Sequence, residues 1–79
     1  MNERIWHNTV PRRHVANVLG IDLSDVEDAA NALSIKTLNG RYERYEVRQI
    51  IAKLIVRTNN PERLERLHQG MADFADEPD

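Results

Sequence analysis

The chain of 79 residues contains no cysteine, and its aromatic residues are one Trp, two Tyr and one Phe. Without cysteine, disulfide bonds and thiolate metal sites are excluded. The longest apolar run, Ile50 to Val56, is interrupted by Lys53 and is far shorter than the about 20 residues of a transmembrane helix. The first residues lack the apolar segment of a signal peptide, so we expect a cytoplasmic protein.

Charge is distributed unevenly, although the formal net charge is only -2. Between Ser34 and Thr58, six basic residues face two acidic ones, which gives this segment a net charge of +4. The stretch from Asp22 to Asp28 holds only acidic charges, and more acids follow from Asp73. An anionic partner would therefore meet the middle of the chain.

A first helix is predicted over Pro11 to Leu19. Thr9 is a suitable N-cap, and Pro11 fits the first turn, where no backbone N–H is needed. Gly20 is a suitable left-handed end for this helix.

A second helix is predicted over Leu23 to Ala32. Asp22 and Ser24 are both possible N-caps, and Ser24 with Glu27 matches the capping-box pattern. The two helices are joined only by residues 20–22, which gives the outline of a helix-turn-helix.

A β-hairpin is predicted after these helices. Residues 35–38 alternate between two faces, as a strand requires. Asn39-Gly40 is the preferred pair for a type I′ turn, and Arg41 and Tyr42 begin a return strand.

Two further helices are predicted, over Arg44 to Arg57 and over residues 61–74, the latter opened by Asn60 and Pro61. The apolar side chains of the fourth helix form a narrow seam, which consists of Leu64, Leu67, Met71 and Phe74. This seam either packs on the domain's own core or forms a dimer.

The fold class expected is mainly α with one β-hairpin, as a single domain of residues 1–75. We expect Ile5 and Trp6 to anchor the N-terminal residues on the core, and residues 76–79 to be a disordered acidic tail.

The order of these motifs resembles the winged helix-turn-helix domains of the excisionase and MerR type. The matching residues in the first half are Trp6, Thr9, Val10, Val15, Ala16, Leu19, Gly20 and Ile21. Those in the wing and the helix after it are Ile35, Lys36, Thr37, Asn39, Gly40, Arg41, Tyr42, Val47 and Ile50. The resemblance covers about residues 6–54.

This resemblance implies a non-enzymatic protein that binds double-stranded DNA, as an excisionase-like architectural factor or a small transcription regulator carried by a phage or plasmid. The wing would contact phosphates or the minor groove, and the second helix would enter the major groove. The residues expected to contact DNA are Arg12, Arg13, Asn31, Lys36, Arg41, Arg44 and Arg48. No cofactor, metal or catalytic residue is expected.

The second helix differs from the usual recognition helix because it carries Asp25, Glu27 and Asp28. Acids facing a polyanion repel it, although a carboxylate can accept a hydrogen bond from cytosine. An alternative therefore stays open, in which this acidic helix binds a protein partner and the domain acts as an inhibitor or adaptor. Catalysis is not expected, because the histidines are scattered along the chain and no phosphate-binding glycine loop is present.

Overall fold

The computed structural model describes residues 9–37 and 39–74. Its elements are β1 (Thr9–Pro11), α1 (Arg12–Leu19), α2 (Leu23–Ala32), β2 (Arg41–Glu43), α3 (Arg44–Arg57) and α4 (Pro61–Asp73). The predicted fold class, mainly helical with one antiparallel pair of strands, is confirmed. None of the helices in the described ranges is both long and apolar enough to cross a membrane. The predicted anchors Ile5 and Trp6 and the predicted tail at residues 76–79 lie outside the described residues.

The strand that pairs with β2 is different from the one predicted. β1 pairs antiparallel with β2, with Val10 opposite Tyr42. Thr9 therefore lies in a strand and does not cap α1, and Pro11 precedes the helix with an extended backbone. Val10 and Tyr42 are both buried, so the pairing places one apolar side chain from each strand in the core.

Residues 35–37, predicted as the first strand of the hairpin, belong to no strand. The reason lies at the end of α2, where Ser34 has a left-handed backbone with φ of 60°. The Ile35 N–H donates to the Ala30 carbonyl at 2.8 Å, which is the hydrogen bond of a Schellman motif. Ile35 therefore completes the end of a helix and does not begin a strand. Leu38 lies outside the described residues.

The other predicted turn positions are confirmed. Gly20 ends α1 with φ of 66°, and the Ile21 N–H donates to the Ala16 carbonyl at 3.1 Å. Asn39 and Gly40 have φ of 56° and 74°, as a type I′ turn requires. The Gly40 carbonyl accepts a hydrogen bond from the Arg12 N–H at 3.1 Å, which joins this turn to the start of α1.

The capping box predicted at Ser24 and Glu27 is wrong. Of the two possible N-caps of α2, Asp22 is the one that occupies the position, because the helix already begins at Leu23. The Glu27 carboxylate is bonded instead to Arg12. A capping box is instead found at the start of α3, where the Glu46 carboxylate accepts a hydrogen bond from the Glu43 N–H at 2.9 Å.

One hydrophobic core joins all four helices and both strands. Its buried residues are Val10, Val15, Ala16, Leu19, Val26, Ala29, Ala30, Tyr42, Val47, Ile50, Ile51, Leu67 and Phe74. Gly70 of α4 lies so close to Leu19 of α1 that a Cβ atom at this glycine would overlap the leucine Cδ2. The two helices therefore meet at a position where only hydrogen fits.

The apolar seam of α4 packs against the core of its own chain. Leu67 and Phe74 are buried, Met71 is partly buried against the core, and Leu64 is half-buried. This is the first of the two alternatives that the sequence left open. A homodimer through this seam stays a prediction, and it would require Leu67 and Phe74 to leave the core.

Candidate nucleic-acid interface

A cleft of about 400 Å³ lies where the start of α1, the outer side of α2, the residues after α2, and β2 come together. Arg12, Asn31 and Lys36 line it, together with Glu27 and Tyr42. Three of the seven residues predicted to contact DNA are therefore brought to one place. They come from three different segments of the chain, so only the fold places them side by side.

Two of the residues that line the cleft form an ion pair. Arg12 Nη1 lies 2.7 Å from Glu27 Oε2, and the two side chains are 41% and 39% exposed. A pair this accessible to water stabilises a fold by at most about 1 kcal/mol. Its larger effect is on the charge of the surface, because Arg12 compensates the acid of α2 that faces the cleft.

The buried side of the cleft is formed by Tyr42, which is only 2% exposed. Burial raises the pKa of its phenol above the usual value of 10.0, and the nearby Glu27 carboxylate raises this pKa further. The Arg12 guanidinium acts in the opposite direction on the same pKa. Tyr42 is therefore neutral at physiological pH, and the charges of the cleft belong to Arg12, Glu27 and Lys36.

Asn31 and Lys36 form the exposed side of the cleft. Asn31 lies in the last turn of α2, and Lys36 follows two residues after the left-handed Ser34. Because the chain turns back at Ser34, Lys36 lies beside the helix that it has just left. An asparagine amide can pair with the edge of adenine, and a lysine beside it can contact a phosphate.

Arg41 holds the small sheet together and does not line this cleft. Its Nε donates to the Thr9 hydroxyl at 2.9 Å, and its Nη2 donates to the Thr9 carbonyl at 3.1 Å. No local pattern predicts this contact, because the two residues are 32 positions apart. Thr9 and Arg41 are thus a structural pair that sequence reasoning missed.

The other predicted DNA contacts lie outside the cleft. Arg44, at the start of α3, lines a separate hollow of about 350 Å³ with His14 and Asp73. Arg13 is exposed on α1, and Arg48 is half-buried on α3. Four of the seven predicted residues, Arg41 included, are therefore not gathered around the cleft.

The acidic residues of α2 point to two different places. Glu27 faces the cleft, whereas Asp25 and Asp28 line a hollow of about 480 Å³ with Arg57 and Arg63. The basic residues of this hollow lie at the end of α3 and the start of α4. Basic residues from other helices accompany the acids in both places.

Metal ligands do not cluster in the described residues: within 9–37 and 39–74, no three His, Cys, Asp or Glu side chains lie close enough to share an ion.

Comparisons of the chain with known protein families, with curated proteins and with solved structures find no match.

Proposed function

We propose that this protein binds double-stranded DNA without catalysis, as an excisionase-like architectural factor or a small transcription regulator. The observation that carries the proposal is the cleft, where Arg12, Asn31 and Lys36 converge at the exposed side of α2. The resemblance of the sequence to excisionase and MerR-type domains supports it. The pairing of Glu27 with Arg12 supports it as well, because it reduces the repulsion between α2 and phosphate.

In this proposal α2 enters the major groove and Asn31 contacts a base edge. Lys36 and Arg13 contact phosphates on either side of the helix, and these contacts fix the position of α2 without reading sequence. Arg41 contributes through the sheet, because it holds β1 to β2 next to the cleft. Arg44 and Arg48 provide further positive charge along the start of α3.

Substitution of one lysine tests the cleft. We expect Lys36→Ala to weaken binding to a mixed-sequence duplex and to flatten the log–log salt slope by about 0.9, the value for one phosphate contact. Lys53→Ala is the matched control, because it removes the same charge from α3 at a position that does not line the cleft. Equal effects of both substitutions in fluorescence anisotropy would contradict a specific role for the cleft.

A second proposal is a protein-binding winged domain that acts as an inhibitor or adaptor. Its support is the exposed Asp28 on α2, which lines one hollow together with Asp25. Reversal of charge at Asp25 and Asp28 should then abolish capture of a basic protein partner in a pull-down, since the contact would depend on these carboxylates. Persistent capture by the doubly reversed variant would remove the basis of this second proposal.

A further inference from the structure

Among the described residues that line the cleft, Glu27 is the one with an acidic side chain. Its carboxylate lies 2.7 Å from the Arg12 guanidinium, and both side chains remain about two-fifths exposed. The contact links the start of α1 to the middle of α2 across 15 positions of the sequence. Arg12 is therefore held beside Asn31 and Lys36 by an acid that belongs to the proposed DNA-reading helix.

We propose that Glu27 restrains Arg12 and thereby weakens the binding of DNA of arbitrary sequence. This inference rests on the proposed DNA-binding function and concerns the regulation of the same cleft. Glu27 is in this view a specificity-determining residue, because it lowers the affinity that is independent of sequence and leaves the base contact of Asn31 in place.

The physical reason is competition between two anions for one guanidinium. A phosphate that approaches Arg12 must share its N–H donors with the Glu27 carboxylate or displace it. Binding to any duplex is driven by cations of the protein that replace the counterions condensed on DNA phosphates. While Arg12 is paired with Glu27 it neutralises no phosphate, so it adds little to this release of counterions. A site with the correct bases gains contacts that do not depend on Arg12.

Asp28 provides a matched control for this inference. It carries the same charge one residue further along α2, but it lines the hollow beside Arg57 and Arg63. Glu27→Gln and Asp28→Asn both replace a carboxylate by the amide of the same shape. Any effect of net charge alone will therefore be similar in the two variants, whereas release of Arg12 occurs only in Glu27→Gln.

The experiment measures the affinity for a mixed-sequence duplex by fluorescence anisotropy between about 50 and 200 mM salt. We expect Glu27→Gln to tighten binding roughly threefold to tenfold at the lower salt and to steepen the log–log slope by about 0.9. Asp28→Asn should tighten binding less and leave the slope unchanged. In an Arg12→Ala background, Glu27→Gln should lose its extra gain and act like Asp28→Asn.

Three results would overturn the inference: equal gains from the two amides, a gain from Glu27→Gln that persists without Arg12, or weaker binding by Glu27→Gln. Circular dichroism of each variant shows whether the helices are intact, so that a loss of fold is not read as a loss of contact. Failure of the proposed function is a separate result, because in that case the unmodified protein does not bind the duplex even at low salt.

Discussion

The Arg41 side chain donates two hydrogen bonds to Thr9, one to its side-chain hydroxyl at 2.9 Å and one to its backbone carbonyl at 3.1 Å. These two hydrogen bonds tie the residue after the Asn39-Gly40 turn to the first described residue of the chain. They run alongside the pairing of β1 with β2, which is only three residues long in each strand. The arginine that the resemblance places in a DNA-binding wing therefore has a structural role in the sheet.

Arg41→Ala is predicted to lower the free energy of unfolding by about 1–2 kcal/mol, because two partly buried hydrogen bonds are lost. It should also weaken duplex binding and flatten the salt dependence, since a positive charge near the cleft disappears. Urea unfolding and anisotropy measure the two effects. Thr9→Val removes only the hydroxyl acceptor and should destabilise less. Unchanged stability in Arg41→Ala would refute the role of this pair.

Gly70→Leu is predicted to lower the free energy of unfolding by about 2–3 kcal/mol, because a side chain at this position must displace the buried Leu19. Ala72→Leu is the control, as it adds a similar side chain to an exposed position of the same helix. Its effect should stay within about 0.5 kcal/mol. Urea midpoints that are equal for the two variants would show that α1 and α4 do not meet closely at Gly70.

Asn60→Ala is predicted to lower the free energy of unfolding by about 1 kcal/mol. The Asn60 side chain accepts hydrogen bonds from the Glu62 and Arg63 N–H groups, at 2.9 and 3.2 Å, and so caps α4. The neighbouring Asn59 is exposed and lies outside the cap position, which makes Asn59→Ala a suitable control. Thermal unfolding should separate the two, and a larger loss from Asn59→Ala would contradict the cap.

Tyr42 is predicted to make the protein less stable at alkaline pH. Its pKa is raised in the folded state, so its contribution to stability is fully present below pH 10 and is lost as the pH rises through the raised pKa. Tyr42→Phe cannot ionise and should lack this part of the decline. The difference in unfolding free energy between the two proteins, measured from about pH 9 to 11, isolates the phenol from other titrating groups. A constant difference over this range would contradict the raised pKa.

Local signals in the sequence predicted most of the helices. The bounds expected for the second and third helices, Leu23 to Ala32 and Arg44 to Arg57, are those observed. Gly20 and the Asn39-Gly40 pair adopt the left-handed backbone expected of them. These features depend on neighbours within a few positions, so the sequence contains the information directly.

Long-range contacts could not be predicted in the same way. Thr9 is a good helix cap by residue type, yet it forms a strand because a partner segment lies about 32 positions away. Residues 35–37 alternate like a strand, but the Ile35 N–H donates to a carbonyl in the last turn of α2. This hydrogen bond depends on the left-handed backbone of Ser34, which the residue type does not predict. The same holds for the candidate site. The sequence predicts Lys36 and Asn31 as DNA contacts one by one, whereas the ion pair between Arg12 and Glu27 depends on how α1 and α2 pack.

DNA binding by this protein is tested most directly by titrating a mixed-sequence duplex with the unmodified protein at about 50 and 200 mM salt, followed by fluorescence anisotropy. We expect measurable binding at the lower salt and a log–log salt slope steeper than about −2, because several cations of the cleft and its surroundings contact phosphates. Absence of binding at the lower salt, or binding that does not respond to salt, would contradict a DNA-binding function.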